Sequence, residues 1–153
     1  RAAGIPAWVK NVGVSGDTTQ NALGRIDAAV AEKPDIVLVV LGANDQFRAV
    51  PGGTVESNLR AAVQRFQASG ARVIIGAVKF PLFYKIETKS DGYDDIYARI
   101  AQATNSALMP DFLAGVAGSA ALNLPDRIHP TAEGYRIIVE TSVLPAIQDA
   151  VGR

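Results

Sequence analysis

The sequence predicts a single α/β domain over residues 1–153, with a parallel sheet covered by helices on both faces. Three observations carry this. Residues 35–41 (DIVLVVL) and 72–78 (RVIIGAV) are apolar runs of strand length without polar alternation, as strands buried on both faces require. Between and around them, apolar residues recur at three- and four-residue spacing, the helical period. The two patterns alternate along the chain, which favours parallel strands joined by helical crossovers over hairpins.

The elements follow in order. Residues 8–14 read as a strand. Asp17 or Thr18 can cap a helix running to about residue 32, with Leu23, Ile26 and Val30 on one face. Residues 35–41 are the next strand. Thr54 can cap the following helix, whose Val55, Leu59, Val63 and Phe66 fall at helical spacing before a stop at Gly70. Residues 72–78 form another strand. A longer loop, 79–92, carries Phe80, Pro81, Phe83 and Tyr84. Residues 93–107 read as a helix with Ile96, Ile100 and Ala103 inward, and a short strand lies near 108–112. The last helix begins after Pro130 and is expected to bend or break at Pro145.

Composition narrows the function classes. Fifteen basic residues balance 15 acidic ones, and no two basic residues are adjacent. Without a basic patch or stripe, nucleic acid and anionic membrane surfaces are not expected partners. There is no cysteine, which rules out disulfides and thiolate metal sites. A single histidine and no clustered acidic loop make a zinc or calcium site unexpected, so no metal is assigned. The longest apolar run, 36–41, is too short to cross a bilayer. The opening residues resemble the tail of a helix, a stop at Gly4 and then a strand, so an N-terminal piece is expected to be missing.

In parallel α/β sheets ligands bind beyond the carboxyl ends of the strands. Three stretches fall there. In VSGDTT, Gly16 lets the backbone approach a ligand, and its N–H lies near a helix start that favours negative charge. Alone, this is also a tight turn with a cap. In GANDQ, Asn44 offers a side-chain amide to a developing oxyanion and Asp45 can orient the loop. Alone, this is also an Asx-type turn. In DRIHP, Asp126 stands three residues before His129, the only histidine. A carboxylate so placed can hold one ring nitrogen and leave the other to accept a proton. Together the three supply a backbone donor, an amide donor and an oriented base, the parts of an acyl-transfer site other than its nucleophile.

These stretches resemble the SGNH (GDSL-type) hydrolases, in their arylesterase and lysophospholipase/thioesterase branch. SGDTT, GAND and DRIHP match three of the four family blocks in order, and the resemblance covers nearly the whole chain. It implies the flavodoxin-like three-layer α/β/α fold and a serine esterase that works without metal or organic cofactor. It also implies roles: Gly16 and Asn44 as oxyanion donors, His129 as general base then acid, and Asp126 as its orienting partner. Residues 45–51 match a substrate-contacting loop, which makes Asp45, Phe47 and Arg48 candidate contacts. Phe80, Pro81, Phe83 and Tyr84 are candidate walls of an acyl pocket. The branch is often exported, so a periplasmic or secreted location is the corresponding expectation.

The fourth block, G-D-S with the nucleophilic serine, does not occur. The expected fold therefore lacks its first strand and most of its first helix. Three readings stay open: a companion N-terminal polypeptide carrying G-D-S, a remnant without a nucleophile, or another serine in its place. The first is preferred. The expected substrates are short-chain or aryl esters, with thioesters and lysophospholipids as further classes. The alternatives are a non-catalytic acyl- or glycan-binding domain of the same fold and a carbohydrate acetylesterase.

Overall fold

A computed structural model describes residues 4–79, 93 and 95–152. The chain builds α1 (Thr19–Gly24), α2 (Ile26–Val30), β1 (Ile36–Val39), α3 (Ala43–Phe47), α4 (Gly52–Ala68), β2 (Arg72–Gly76), α5 (Ile96–Thr104), β3 (Ala107–Met109), α6 (Ala132–Ile138) and α7 (Leu144–Gly152). The strands lie in the order β1-β2-β3, all parallel, with Ile36 opposite Arg72 and Ile74 opposite Ala107. Helix α4 crosses from β1 to β2 and α5 leads into β3, as parallel pairing demands.

Alternate residues of each strand face opposite layers. Val37, Val39, Val73 and Ile75 pack with Val55, Leu59, Val63 and Phe66 of α4 and with Ile96 and Ile100 of α5. Ile36, Leu38 and Ile74 face the other way, against Val143, Ala146, Ile147 and Ala150. These two layers explain why the strands carry no polar face. A third cluster, with Leu113, Val116 and Ile138 at its centre, includes Val78 just beyond β2 and lies at the carboxyl end of the sheet. The architecture is the expected three-layer α/β/α fold, with a parallel sheet of three strands flanked by helices.

Several boundaries differ from the sequence reading. Residues 8–14 are not a strand. They take no regular secondary structure, with Trp8 and Val9 93% and 85% exposed. A strand needs a neighbouring backbone, and a trough of about 120 Å³ stands between Val12 and Gly13 and the edge of β1. The helix expected to reach residue 32 is two short ones, divided at Arg25, whose guanidinium turns to Asp17 and the Val12 carbonyl. Thr54 is not a cap: α4 begins earlier, at Gly52, with Pro51 before it in extended geometry. Helix α5 ends at Asn105 in a left-handed conformation, so Ala107 belongs to β3, and Ala101 rather than Ala103 is the buried alanine.

The break expected at Pro145 takes another form. Residues Val139–Val143 form a π-helical stretch between α6 and α7. Proline has no N–H to give to residue 141 and its ring crowds that carbonyl, and the wider π turn absorbs both effects without ending the helix.

Candidate active site

The first half of the site is a junction between the turn before α1 and the helix after β1. Val14 to Asp17 close a β-turn through Asp17 N–H to Val14 C=O, at 3.2 Å. Gly16 takes φ +83° at the third position of that turn, where a side chain is strained. The turn uses the N–H of Asp17, and that of Gly16 is left outside it. Thr18 then caps α1 through a reciprocal capping box with Asn21.

Gly42, at φ +111°, ends β1's run and starts α3. It is buried against the Tyr97 hydroxyl, which donates to the Leu41 carbonyl at 2.9 Å. A Cβ at Gly42 would meet that hydroxyl, so this position tolerates only glycine on both conformational and spatial grounds. Burial raises the Tyr97 phenol well above its ordinary range, with the Val78 backbone N–H acting in the opposite sense and the Asp45 charge in the same sense as lesser influences. Tyr97 thus remains a hydroxyl donor under the loop at any ordinary pH.

The two segments are tied together. Asn44 Nδ2 donates to the Asp17 carbonyl at 2.9 Å, which fixes one amide hydrogen and directs the second away from that bond. Arg48 Nη2 donates to the Gly16 carbonyl at 3.0 Å. Asp45 was expected at the substrate surface, but its side chain is fully buried, accepting from Thr19 N–H at 2.8 Å and Thr19 Oγ1 at 2.6 Å. Phe47 and Arg48, in contrast, are exposed beside it. The structure therefore gathers Gly16, Asn44, Asp45 and Arg48 at one place.

The second half is the loop before α6. Asp126 Oδ1 accepts the N–H groups of Ile128 at 2.9 Å and His129 at 3.0 Å, and Oδ2 lies 2.7 Å from His129 Nδ1. Those two backbone donors and then the imidazole hold the Asp126 carboxyl at about 2, well below the ordinary carboxylate range. The loop is closed by Leu124 N–H to His129 C=O and Thr131 N–H to Leu122 C=O, both 2.8 Å, and by a bridge between Asn123 and Pro130. The imidazole itself is 64% exposed. Nδ1 thus carries the proton toward Asp126, and Nε2 is presented to solvent as an acceptor.

Phe80, Pro81, Phe83 and Tyr84 lie outside the described residues. Among the described residues no serine hydroxyl is bonded to His129, and no group of three or more His, Cys, Asp or Glu side chains could hold a metal. Sequence reasoning missed Thr19, Asn58 and Tyr97. Thr19 carried a faint signal: of two adjacent threonines only one can cap, and the other turns inward. Asn58 and Tyr97 gave none, because one sits mid-helix and the other reads as ordinary core.

A carboxylate-held imidazole and an amide-donor junction on a parallel α/β sheet are parts that an acyl hydrolase can use. The profile of the GDSL-like Lipase/Acylhydrolase family matches residues 1–137, and the chain belongs to that family of SGNH carboxylic ester hydrolases. It is 36% identical to an arylesterase of Vibrio mimicus over 90% of this chain and 68% of that protein. It is 32% identical to the esterase TesA of Pseudomonas aeruginosa over 92% of this chain and 69% of that protein. A crystal structure of TesA superposes with a TM-score of 0.89 at 31% identity, over 97% of this chain and 82% of the other. The psychrotrophic esterase EstA from Pseudoalteromonas sp., in a structure inhibited by monoethylphosphonate, gives 0.79 at 29% identity over 94% and 78%.

Proposed function

We propose that the chain forms the greater part of a serine esterase. Its site would act on short-chain or aryl carboxylic esters, with thioesters and lysophospholipids as further substrate classes. The observation that carries the reading is the 2.7 Å contact between Asp126 and His129 Nδ1, which leaves Nε2 open as a base. In the proposed sequence His129 takes the proton of a serine hydroxyl as the oxygen attacks the ester carbonyl. The tetrahedral oxyanion receives the Gly16 N–H and the second hydrogen of Asn44 Nδ2. His129 then returns the proton to the leaving alcohol, and an acyl-serine remains. Water deprotonated by His129 attacks that acyl group and restores the serine.

The serine of this proposal lies on a strand carrying G-D-S that is not among these 153 residues. Two observations support it. The outer edge of β1 has no strand partner among the described residues, and an apolar trough runs along it, lined by Ile26, Val37, Val39, Leu41 and Phe66. One added strand would fill the trough and pair with β1. Whether that strand comes from a companion polypeptide or from the same chain is decided by the test.

The test is a fluorophosphonate probe on the purified material, read by the intact mass of every polypeptide. Label on a second, shorter chain, or on a serine preceding these residues, supports the proposal. Label on a serine within residues 1–153 would rule out the added strand as its source. No label on any polypeptide would overturn the esterase reading in favour of a binding domain. His129→Ala should abolish labelling, and an unchanged rate would remove His129 from its assigned role.

A further inference from the structure

The segments that carry Gly16 and Asn44 are joined by bonds of unequal depth. Two lie toward the surface, from Asn44 to the Asp17 carbonyl and from Arg48 to the Gly16 carbonyl. The other two are buried, and Thr19 makes both. Its N–H reaches Asp45 Oδ2 at 2.8 Å and its hydroxyl reaches Asp45 Oδ1 at 2.6 Å. Asn58 Nδ2, from α4, donates to the same hydroxyl at 3.1 Å. Asp45 is 0% and Thr19 2% exposed.

A buried carboxylate this close to a site for a developing oxyanion is a cost, because like charges repel more strongly in a low dielectric. It is tolerable only if its donors neutralise much of that charge and if the resulting bonds do something useful. Charge-assisted bonds are short, and buried ones cannot exchange with water. Here they join the first residue of α1 to the residue following Asn44.

We propose that Thr19 is the positioning residue of the oxyanion hole: by giving both its donors to Asp45, it sets the separation of the Gly16 N–H and the Asn44 amide. The proposal rests on the esterase reading for the use of those two donors, while the clamp itself can be tested without turnover. Thr19→Val keeps the shape but strands one carboxylate oxygen of Asp45 and the Asn58 amide. Thr19→Ser keeps both donors. Asp45→Asn is also disruptive. Its amide would donate to a hydroxyl already receiving Asn58, or its oxygen alone would face both Thr19 donors.

The test has two parts. In ¹⁵N NMR spectra of the 153-residue chain, Thr19→Val should shift the Gly16 backbone amide and the Asn44 side-chain amide and leave the remote Ile138 and Val116 amides in place. Thr19→Ser should restore both signals. Unmoved Gly16 and Asn44 signals, or shifts spread evenly through the core, would overturn the clamp. In the serine-containing enzyme, Thr19→Val should lower kcat on the order of 10²-fold with KM nearly unchanged, and Thr19→Ser should recover most of the loss. A change confined to KM would overturn the positioning role. An inactive parent enzyme would sink the esterase reading, while the spectra would still decide the clamp.

Discussion

The acid–base pair is organised by one carboxyl group doing two jobs. Asp126 Oδ1 builds the turn that presents His129, and Oδ2 holds the ring of that same residue. Turn and base are therefore coupled: protonating Asp126 loosens the loop and releases the imidazole together. The sign of the pH effect follows. The carboxyl is held at about 2 in the folded protein, below its ordinary range, so its contribution is fully present above that range and disappears as pH falls through about 2. An NMR titration of the Asp126 carboxyl carbon should show the ionised form throughout mildly acidic conditions. A transition in the ordinary carboxylate range would contradict the bonding seen here. Any loss of esterase activity at mildly acidic pH then belongs to a group other than Asp126. This pair was legible in the sequence because all of its bonds are local, spanning three residues. The burial of Asp45 was not, because it depends on Thr19, 26 residues away.

At the scale of elements, the His129 loop is fastened to α6 by the absence of a side chain. Gly134 packs where a Cβ would meet the Leu122 carbonyl, with Pro130 Cβ at 3.0 Å and Val116 Cγ1 at 3.1 Å. Gly134→Ala would gain about 1 kcal/mol in helix propensity. Against this stands overpacking, which typically costs about 1–3 kcal/mol and here meets a backbone oxygen that cannot rotate away. Overpacking should win. The variant is expected to have a lower Tm, and its Asp126–His129 loop should be displaced because Leu122 and Pro130 bracket it. A Tm at or above that of the parent would show that α6 can shift without disturbing the loop. Such packing is invisible in a sequence, where Gly134 reads as an ordinary weak point in a helix. The elements themselves were legible wherever burial was two-sided or strictly periodic. Strands β1 and β2 and the inward face of α4 all followed from apolar runs and spacing. Residues 8–14 did not, because strand identity needs a partner and β-rich composition supplies none.

At the scale of the whole molecule, an open sheet edge coincides with a net charge of zero. Among the described residues strand β1 is paired on one side only, with an apolar trough beside it, and Trp8, Val9, Val12 and Val14 are exposed in the adjoining segment. An unpaired edge next to exposed apolar residues is a template for another strand. Most globular proteins restrain such contacts by carrying like charge, which repels copies at distances set by the ionic strength. This chain has 15 basic and 15 acidic residues and a pI near 6.8, so that restraint is weakest close to neutrality. The isolated chain should therefore self-associate most strongly near pH 7 and less at either side, with added salt having little effect at the midpoint. Light scattering across a pH series tests this. A scattering minimum near neutrality would mean that charge does not govern the association. A peptide or segment that pairs with β1 should suppress scattering at every pH, because it removes the edge itself and leaves the charge balance alone.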